Sequence, residues 1–295
     1  MIDGLAVVDK PAGMTSHDVV ARCRRLFGQK KVGHAGTLDP DATGVLLVGL
    51  GRATRLLQFH SGLTKSYTAE VVLGIATTTL DSAGEITGRW DQRHVTLDEA
   101  RQAAAELTGT IWQVPPMVSA VKVGGRRLHE LARQGLEVDR AARQVTVTRF
   151  DLTALVAGAG DDSPVLSVDV ECSAGTYVRV LAADLGAALG GGAHLRRLRR
   201  TAVGPWAEAM AVALDALGPE AVIAPAASLP WLEAVMVDGQ RAVEVANGRV
   251  LDRNVLGGVA DGPWRVIDCE GALLAVYQSH REGLVKPIVV MPPPS

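Results

Sequence analysis

Residues 33–44, Gly33-His34-Ala35-Gly36-Thr37-Leu38-Asp39-Pro40-Asp41-Ala42-Thr43-Gly44, run straight into the apolar stretch Val45-Leu46-Leu47-Val48-Gly49-Leu50. Pro40 pushes Asp39 out of the helical region toward extended geometry and fixes the backbone after it. Gly33, Gly36 and Gly44 admit dihedrals that other residues resist, or let something large approach the backbone. The expected product is a rigid loop that presents one carboxylate at the edge of a sheet. Asp-Pro is also ordinary turn chemistry, with the aspartate capping its own backbone. The loop alone leaves both readings open.

Outward from this loop, composition sets the bounds. A chain of 295 residues, 47% hydrophobic and 21% charged, is expected to form one or two globular domains, each able to bury a core. The apolar runs are far too short to span a bilayer, and Met1-Ile2-Asp3-Gly4 does not open a signal peptide. A cytoplasmic protein without membrane contact is therefore expected. Cys23, Cys172 and Cys269 are odd in number and far apart, so they read as small buried hydrophobes and not as a disulfide framework. The histidines form no His-Glu-x-x-His pattern, and no metal is expected.

The net charge of −2 argues against a globally basic nucleic-acid binder, but the positive charge is clustered. Arg22, Arg24, Arg25, Lys30 and Lys31 form one group, and Lys122, Arg126, Arg127 and Arg133 a second. Arg196, Arg197, Arg199 and Arg200 form a third. Local basic patches beside glycine-rich loops are what a polyanionic partner requires, whatever the total charge.

The spacing predicts a helix from Thr15 or Ser16 to about Phe27, with Val19, Val20, Cys23 and Phe27 on one side. Residues 67–73 alternate, with Tyr67, Ala69, Val71 and Leu73 on one face, as in a half-buried strand. Thr96-Leu97-Asp98-Glu99 has the form of a capping box opening a helix. Residues 166–173 alternate again, and a turn at Ala174-Gly175-Thr176 leads to a helix with the stripe Val178, Leu181, Leu185 and Leu189. Leu198, between arginines, reads as the buried position of a basic helix. Amphipathic strands alternating with helices imply an α+β fold on a mixed sheet of antiparallel character. Residues 113–143, polar, basic and glycine-containing, read as a protruding insertion. Proline and alanine thicken over residues 219–230, which reads as a linker to a small, turn-rich β-barrel module.

Five segments in chain order resemble the TruB family of bacterial tRNA pseudouridine synthases. They are Lys10-Pro11-Ala12-Gly13-Met14-Thr15-Ser16; the Asp39 loop, continued by Gly51-Arg52-Ala53-Thr54-Arg55; and Lys65-Ser66-Tyr67. The fourth is Pro115–Lys122 with Arg126–Arg133, and the fifth is Gly175-Thr176-Tyr177-Val178-Arg179 with Gly192–Arg200. The resemblance implies a pseudouridine synthase fold: a largely antiparallel mixed sheet with flanking helices and an RNA-gripping thumb at about 113–143. It places the catalytic domain at 1–228. Less specifically, residues 229–295 resemble a PUA-like RNA-binding β-barrel.

That family isomerises a T-loop uridine of tRNA. The N1–C1′ bond breaks, the uracil turns, and C5 rejoins the sugar. No redox change or outside group is involved, so no cofactor is implied. The target base must be flipped out of the folded loop, and a carboxylate must act on sugar or ring as nucleophile or base. By the resemblance this is Asp39, kept ionised by Arg179, since burial alone would raise its pKa. Tyr67 takes the position of the tyrosine that stacks on the flipped base and helps move the C5 proton. Leu198 matches the apolar floor under the base, His34 the residue that fills the space the nucleotide leaves, and Asp81 an acidic position near the site. Lys10, Arg55 and the thumb residues Lys122, Arg126 and Arg127 match substrate-binding positions. His129 departs from the pattern, standing where many members carry a thumb tyrosine.

The implied partner is tRNA through its T-arm, bound by a monomer with no obligate protein partner. A dinucleotide site at Gly49-Leu50-Gly51-Arg52-Ala53-Thr54 is disfavoured, because Thr54 occupies the slot of the third glycine. A non-catalytic RNA binder on the same fold is disfavoured by the joint presence of Asp39, Tyr67 and Arg179.

Overall fold

The computed structural model describes residues 2–117, 122–123, 126–127, 136, 138–157, 163–257 and 262–291. The chain opens with β1 (Gly4–Lys10), α1 (Ser16–Leu26), β2 (Val32–Ala35) and β3 (Thr43–Leu50). A short helix α2 (Leu57–Ser61) leads to β4 (Lys65–Leu73), then to the small hairpin β5 (Ile75–Thr77) and β6 (Ile86–Arg89). Next come α3 (Leu97–Glu106), β7 (Gly109–Gln113), the two-residue strands β8 (Lys122–Val123) and β9 (Arg126–Arg127), and the long pair β10 (Arg143–Val156) and β11 (Val165–Cys172). The larger sheet is completed by α4 (Val178–Ala188), β12 (Ala193–Val203), β13 (Trp206–Ala207) and β14 (Val212–Ala213).

The local signals act as written in the sequence. Thr15 caps α1 by accepting from the Asp18 amide while Asp18 answers the Thr15 amide, and Thr96 and Glu99 do the same for α3; each reciprocal cap satisfies donors the helix cannot. Val19, Val20 and Cys23 are buried beneath α1, and Val178, Leu181 and Leu185 beneath α4. Along β4 and β11 the expected alternate residues are buried.

The larger sheet runs β14-β1-β3-β12-β4-β11-β10-β7. Only β14–β1 and β3–β12 are parallel pairs, so it is mixed and largely antiparallel. One feature of its pairing creates the site. β12 pairs with Thr43 and Gly44 at the start of β3, whereas β2 pairs with residues 47–50 at its end. Both lie on the edge that β1 does not occupy. The sheet therefore parts between β2 and β12, and residues 36–42 fill the opening. Gly44, at φ +98°, makes the turn possible, since a Cβ there would meet the Arg200 carbonyl oxygen at 2.2 Å.

Residues 196–200 form part of strand β12, not a basic helix. The run of arginines lies on a strand, bulged between Leu195 and Arg197, that hydrogen-bonds β4 on one side and β3 on the other, and sheet pairing overrides the helical reading. Residues 219–230 are packed and not a free linker. Leu5 and Ile223 exchange backbone hydrogen bonds at 2.9 and 2.8 Å, and Leu229 is fully buried. Cys23 and Cys172 are buried as expected, but Cys269 is exposed.

The C-terminal part holds β15 (Ala234–Met236), α5 (Gly239–Ala246), β16 (Leu251–Asp252), β17 (Trp264–Ile267), β18 (Leu273–Ser279) and β19 (Leu284–Val290). Its sheet follows the order β15-β17-β18-β19-β16, a curled half-barrel about Trp264, Val266, Ala275 and Tyr277. A separate apolar cluster joins it to the first part of the chain through Ala53, Leu56, Leu229, Leu273, Val276 and Val289.

Gln113 and Arg143 are paired across β7 and β10, so the segment between them leaves and re-enters the sheet at one point. Within it β8 and β9 pair as a hairpin carrying Lys122, Arg126 and Arg127. His129 lies outside the described residues. Among the described residues no helix is long and apolar enough to cross a membrane.

Candidate active site

The opening between β2 and β12 leads to a cavity of about 270 Å³ whose lining includes Asp39, Lys65, Tyr67, Arg179, Leu198 and Arg200. A second cleft of about 410 Å³, which includes Asp81, Arg196 and Arg197, shares Asp39, Arg179 and Leu198 with it. These three side chains thus form a wall between two adjoining hollows.

Asp39 is fixed from below. Ser16, the first residue of α1, accepts from the Leu38 amide at 2.9 Å and donates to the Leu38 carbonyl at 3.2 Å. The Gly13 amide donates to Pro40 O at 3.0 Å. Lys10 is wholly buried, and its ammonium donates to Pro11 O, Met14 O and Pro40 O at 2.8, 2.6 and 2.8 Å. Three carbonyls use all three of its donors. Burial lowers its pKa to about 8 against the pull of Asp41 and Asp39. The side chain thereby ties the loop at 11–14 to the Asp39 loop.

Arg179 stands in the first turn of α4 and is 4% exposed, not the surface arginine that such a position commonly carries. Gln113, buried at the end of β7, accepts from the Tyr177 amide at 3.0 Å and so anchors the start of that helix. The guanidinium spans two carboxylates. Its Nε lies 3.1 Å from Asp39 Oδ2 and its Nη2 donates to Asp39 Oδ1 at 3.3 Å. Its Nη1 donates to Asp81 Oδ2 at 3.2 Å and to Thr79 O at 3.1 Å. Asp81 is held in turn by the Thr79 hydroxyl at 2.5 Å and the Ala83 amide at 3.1 Å. Between them Leu80 adopts φ +63°, a left-handed conformation that strains a non-glycine residue.

The Asp39 carboxylate is 42% exposed toward the cavities. Burial pushes its pKa above the ordinary carboxylate range, Arg179 pulls it down, and Asp81 pushes it up again. The net direction is upward, so the arginine moderates the cost of desolvation without cancelling it.

Tyr67, 8% exposed, faces the cavity from β4, directly opposite Arg200 on β12. Leu198 is half-buried, opposite Ala69. Arg200 Nε donates to Val45 O at 2.7 Å and its Nη2 to Gly36 O at 3.0 Å, which clamps both flanks of the Asp39 loop.

His34 and Arg55 lie outside the cavity lining. His34 on β2 packs edge-on to His17 with ring centres 5.2 Å apart. Burial, then His17, lowers its pKa to about 4. Arg55 is exposed and donates to Val290 O of β19 at 2.8 Å. Arg52 pairs with Asp3 at 2.6 Å. Lys122, Arg126 and Arg127 stand on the β8–β9 hairpin. Sequence reading missed Ser16, Gln113 and Thr79 as supports of the site. Ser16 lay inside a segment already singled out and Thr79 two residues before Asp81, but Gln113 carried no signal short of its fold.

Residues 24–178 match the family model of the TruB pseudouridylate synthase N-terminal domain, and residues 179–243 match that of the tRNA pseudouridylate synthase B C-terminal domain. A tRNA pseudouridine synthase B of Nocardia farcinica is 47% identical over 99% of this chain and 94% of its own length. One from Symbiobacterium thermophilum is 49% identical over 84% of this chain and 82% of its own. Among solved structures, a Cbf5-Nop10-Gar1 complex superposes with a TM-score of 0.73 at 26% identity, covering 98% of this chain and 85% of that one. With its two domain models in order and near-full-length likeness, the chain belongs to the TruB family and is a pseudouridine synthase.

Proposed function

We propose that this enzyme converts a T-loop uridine of tRNA to pseudouridine, with Asp39 as the catalytic carboxylate. The observation that carries the reading is the Asp39–Arg179–Asp81 bridge, set in the wall of a cavity that also presents Tyr67 and Leu198. Such a cavity suits a flipped pyrimidine with an apolar side chain and an aromatic ring beside it. Among the described residues Asp39 is the one carboxylate in that lining, placed to act on the sugar or ring. The guanidinium fixes its orientation and supplies the charge that favours ionisation.

Residues 1–228 serve as the catalytic part, and residues 229–295 as a PUA-like RNA-binding module. The thumb at 113–143 grips the T-arm, and His34 fills the space left by the extruded nucleotide. The protein works as a cytoplasmic monomer without a cofactor. The homologues' name supports tRNA as substrate, and the resemblance of the five segments supports the T-loop.

Position mapping on a T-arm stem–loop tests this. One pseudouridine at the loop uridine is expected, formed equally well in EDTA. Modification of another arm, with the T-arm untouched, would overturn the assignment. Reversing charge at Arg126 and Arg127 together should weaken tRNA binding and flatten the slope of log affinity against log salt by about two, one for each lost phosphate contact. An unchanged slope would return the hairpin to a solvated face.

A further inference from the structure

Lys65, the first residue of β4, is 6% exposed and lines the Asp39 cavity, yet the chemistry above gives it no task. Its ammonium donates to Ser61 O at 2.7 Å and to Leu63 O at 2.6 Å, at and just beyond the end of α2. An ammonium carries three donors, so one N–H is left over. Among the described residues it meets neither a third acceptor nor a carboxylate. Lys10 makes the contrast: it is equally buried, but three carbonyls take all of its donors.

A buried donor without a partner is costly, and more so on a cation. Burial lowers the Lys65 pKa to about 8, which leaves the side chain charged at neutral pH. The loop ahead of Asp39 closes over it. Gly36 has φ +75°, and a Cβ there would lie 3.8 Å from Lys65 Cε and 3.4 Å from Arg200 Nη1. Of the cations in the lining, Arg179 spans two carboxylates, whereas Lys65 and Arg200 form no ion pair among the described residues. Positive charge in this cavity therefore exceeds negative, and the unmet N–H suits a ligand that brings the acceptor.

We propose that Lys65 donates this N–H to a carbonyl oxygen of the flipped uracil and holds the negative charge the ring acquires when the N1–C1′ bond breaks. The inference rests on the isomerase reading above. In that step the bonding pair leaves C1′ and stays with the ring, spread by conjugation over N1, C5, O2 and O4. C1′ is left short of electrons, a deficit that the Asp39 carboxylate answers. C5 then gives the pair to C1′, the C5 hydrogen leaves as a proton, and N1 gains one from water. Lys65 gives up no proton. Its charge is fixed by Ser61 O and Leu63 O before the reaction begins, and its hold strengthens as charge develops on the oxygen. It touches the reacting ring and is a catalytic residue.

Lys65→Met should slow single-turnover conversion of T-arm RNA about 100-fold, with RNA affinity in a filter-binding assay largely kept. Sulfur in place of O2 or of O4 accepts hydrogen bonds poorly, so the two thiouridine substrates separate catalysis from support. At one of these positions the parent should be slowed by sulfur at least about tenfold more than Lys65→Met is. A lysine that only supports the fold slows all three substrates alike. Equal sulfur effects in parent and folded variant at both positions, or parental turnover of uridine by the variant, would overturn the proposal. Lys65 would then be a tie between β4 and the end of α2.

Should Lys65→Met fail to fold, Lys65→Gln, whose amide retains donors for Ser61 O and Leu63 O, is judged by the same ratios. Should that variant fail too, the parent decides: conversion of both sulfur substrates as fast as uridine overturns the proposal. A parent chain that converts no T-loop uridine at all overturns the isomerase reading. One that converts it with sulfur effects independent of Lys65 overturns this proposal alone.

Discussion

Asp39→Asn and Asp39→Ala are expected to lose turnover by at least about 10³-fold, or roughly 4 kcal/mol of transition-state stabilisation, while tRNA affinity changes little. The reason is the division of labour in the site. Asp39 faces the cavities with a carboxylate 42% exposed, while its backbone is held independently by Ser16, Gly13 and Lys10. The asparagine is nearly isosteric and keeps a carbonyl for Arg179, so the loop should survive. Only the charge and its nucleophilicity or basicity vanish. Phosphate contacts supply most of the affinity in such interfaces, and a carboxylate makes none. Single-turnover kinetics with a filter-binding control measure both quantities. Activity within a few-fold of the parent in both variants would remove Asp39 from the chemistry.

Substitution of Arg179 should have the next largest effect. Arg179→Met leaves Asp39 and Asp81 facing each other without the guanidinium that spans them at 3.1 and 3.2 Å. Turnover should fall roughly 100-fold or more. Arg179→Lys should lose less, since the charge remains, but one ammonium cannot reproduce a fork that serves both carboxylates. The pH dependence separates an electrostatic role from a structural one. The Asp39 pKa is already raised, chiefly by burial, and Arg179 is the first of the groups that oppose the rise. Without it the pKa climbs further. An active carboxylate is present only above its pKa, so the acid limb of the rate profile must move to higher pH. Parental turnover with an unmoved acid limb would leave Arg179 as a support of α4 alone.

Much of this was legible from sequence because the signals were local. The Thr15 and Thr96 caps, the alternation along β4 and β11, and the Asp39 turn each depend on a few adjacent residues and keep their meaning in the fold. The failures were non-local. Nothing near Leu198 says that a run of arginines lies between two strands, because β3 and β4 come from more than a hundred residues away. Lys10 stood in a recognisable motif, yet its three carbonyl acceptors include Pro40, thirty residues on. Nothing in that motif says that backbone carbonyls take all three of its donors. Asp81 needed the strained Leu80 turn to reach Arg179. Gln113, buried 64 residues before the helix start that it anchors, had no signature at all.

Exchange of a uridine's glycosidic bond from N1 to C5 is the step proposed for Asp39. Release of tritium from tRNA carrying 5-tritiated uridine reads that exchange directly, since forming the C5–C1′ bond expels the C5 hydrogen. The parent chain in EDTA should release one equivalent per T-loop, and Asp39→Asn should release essentially none over the same interval. Release by Asp39→Asn at the parental rate, or none by the parent on T-arm RNA, would contradict it.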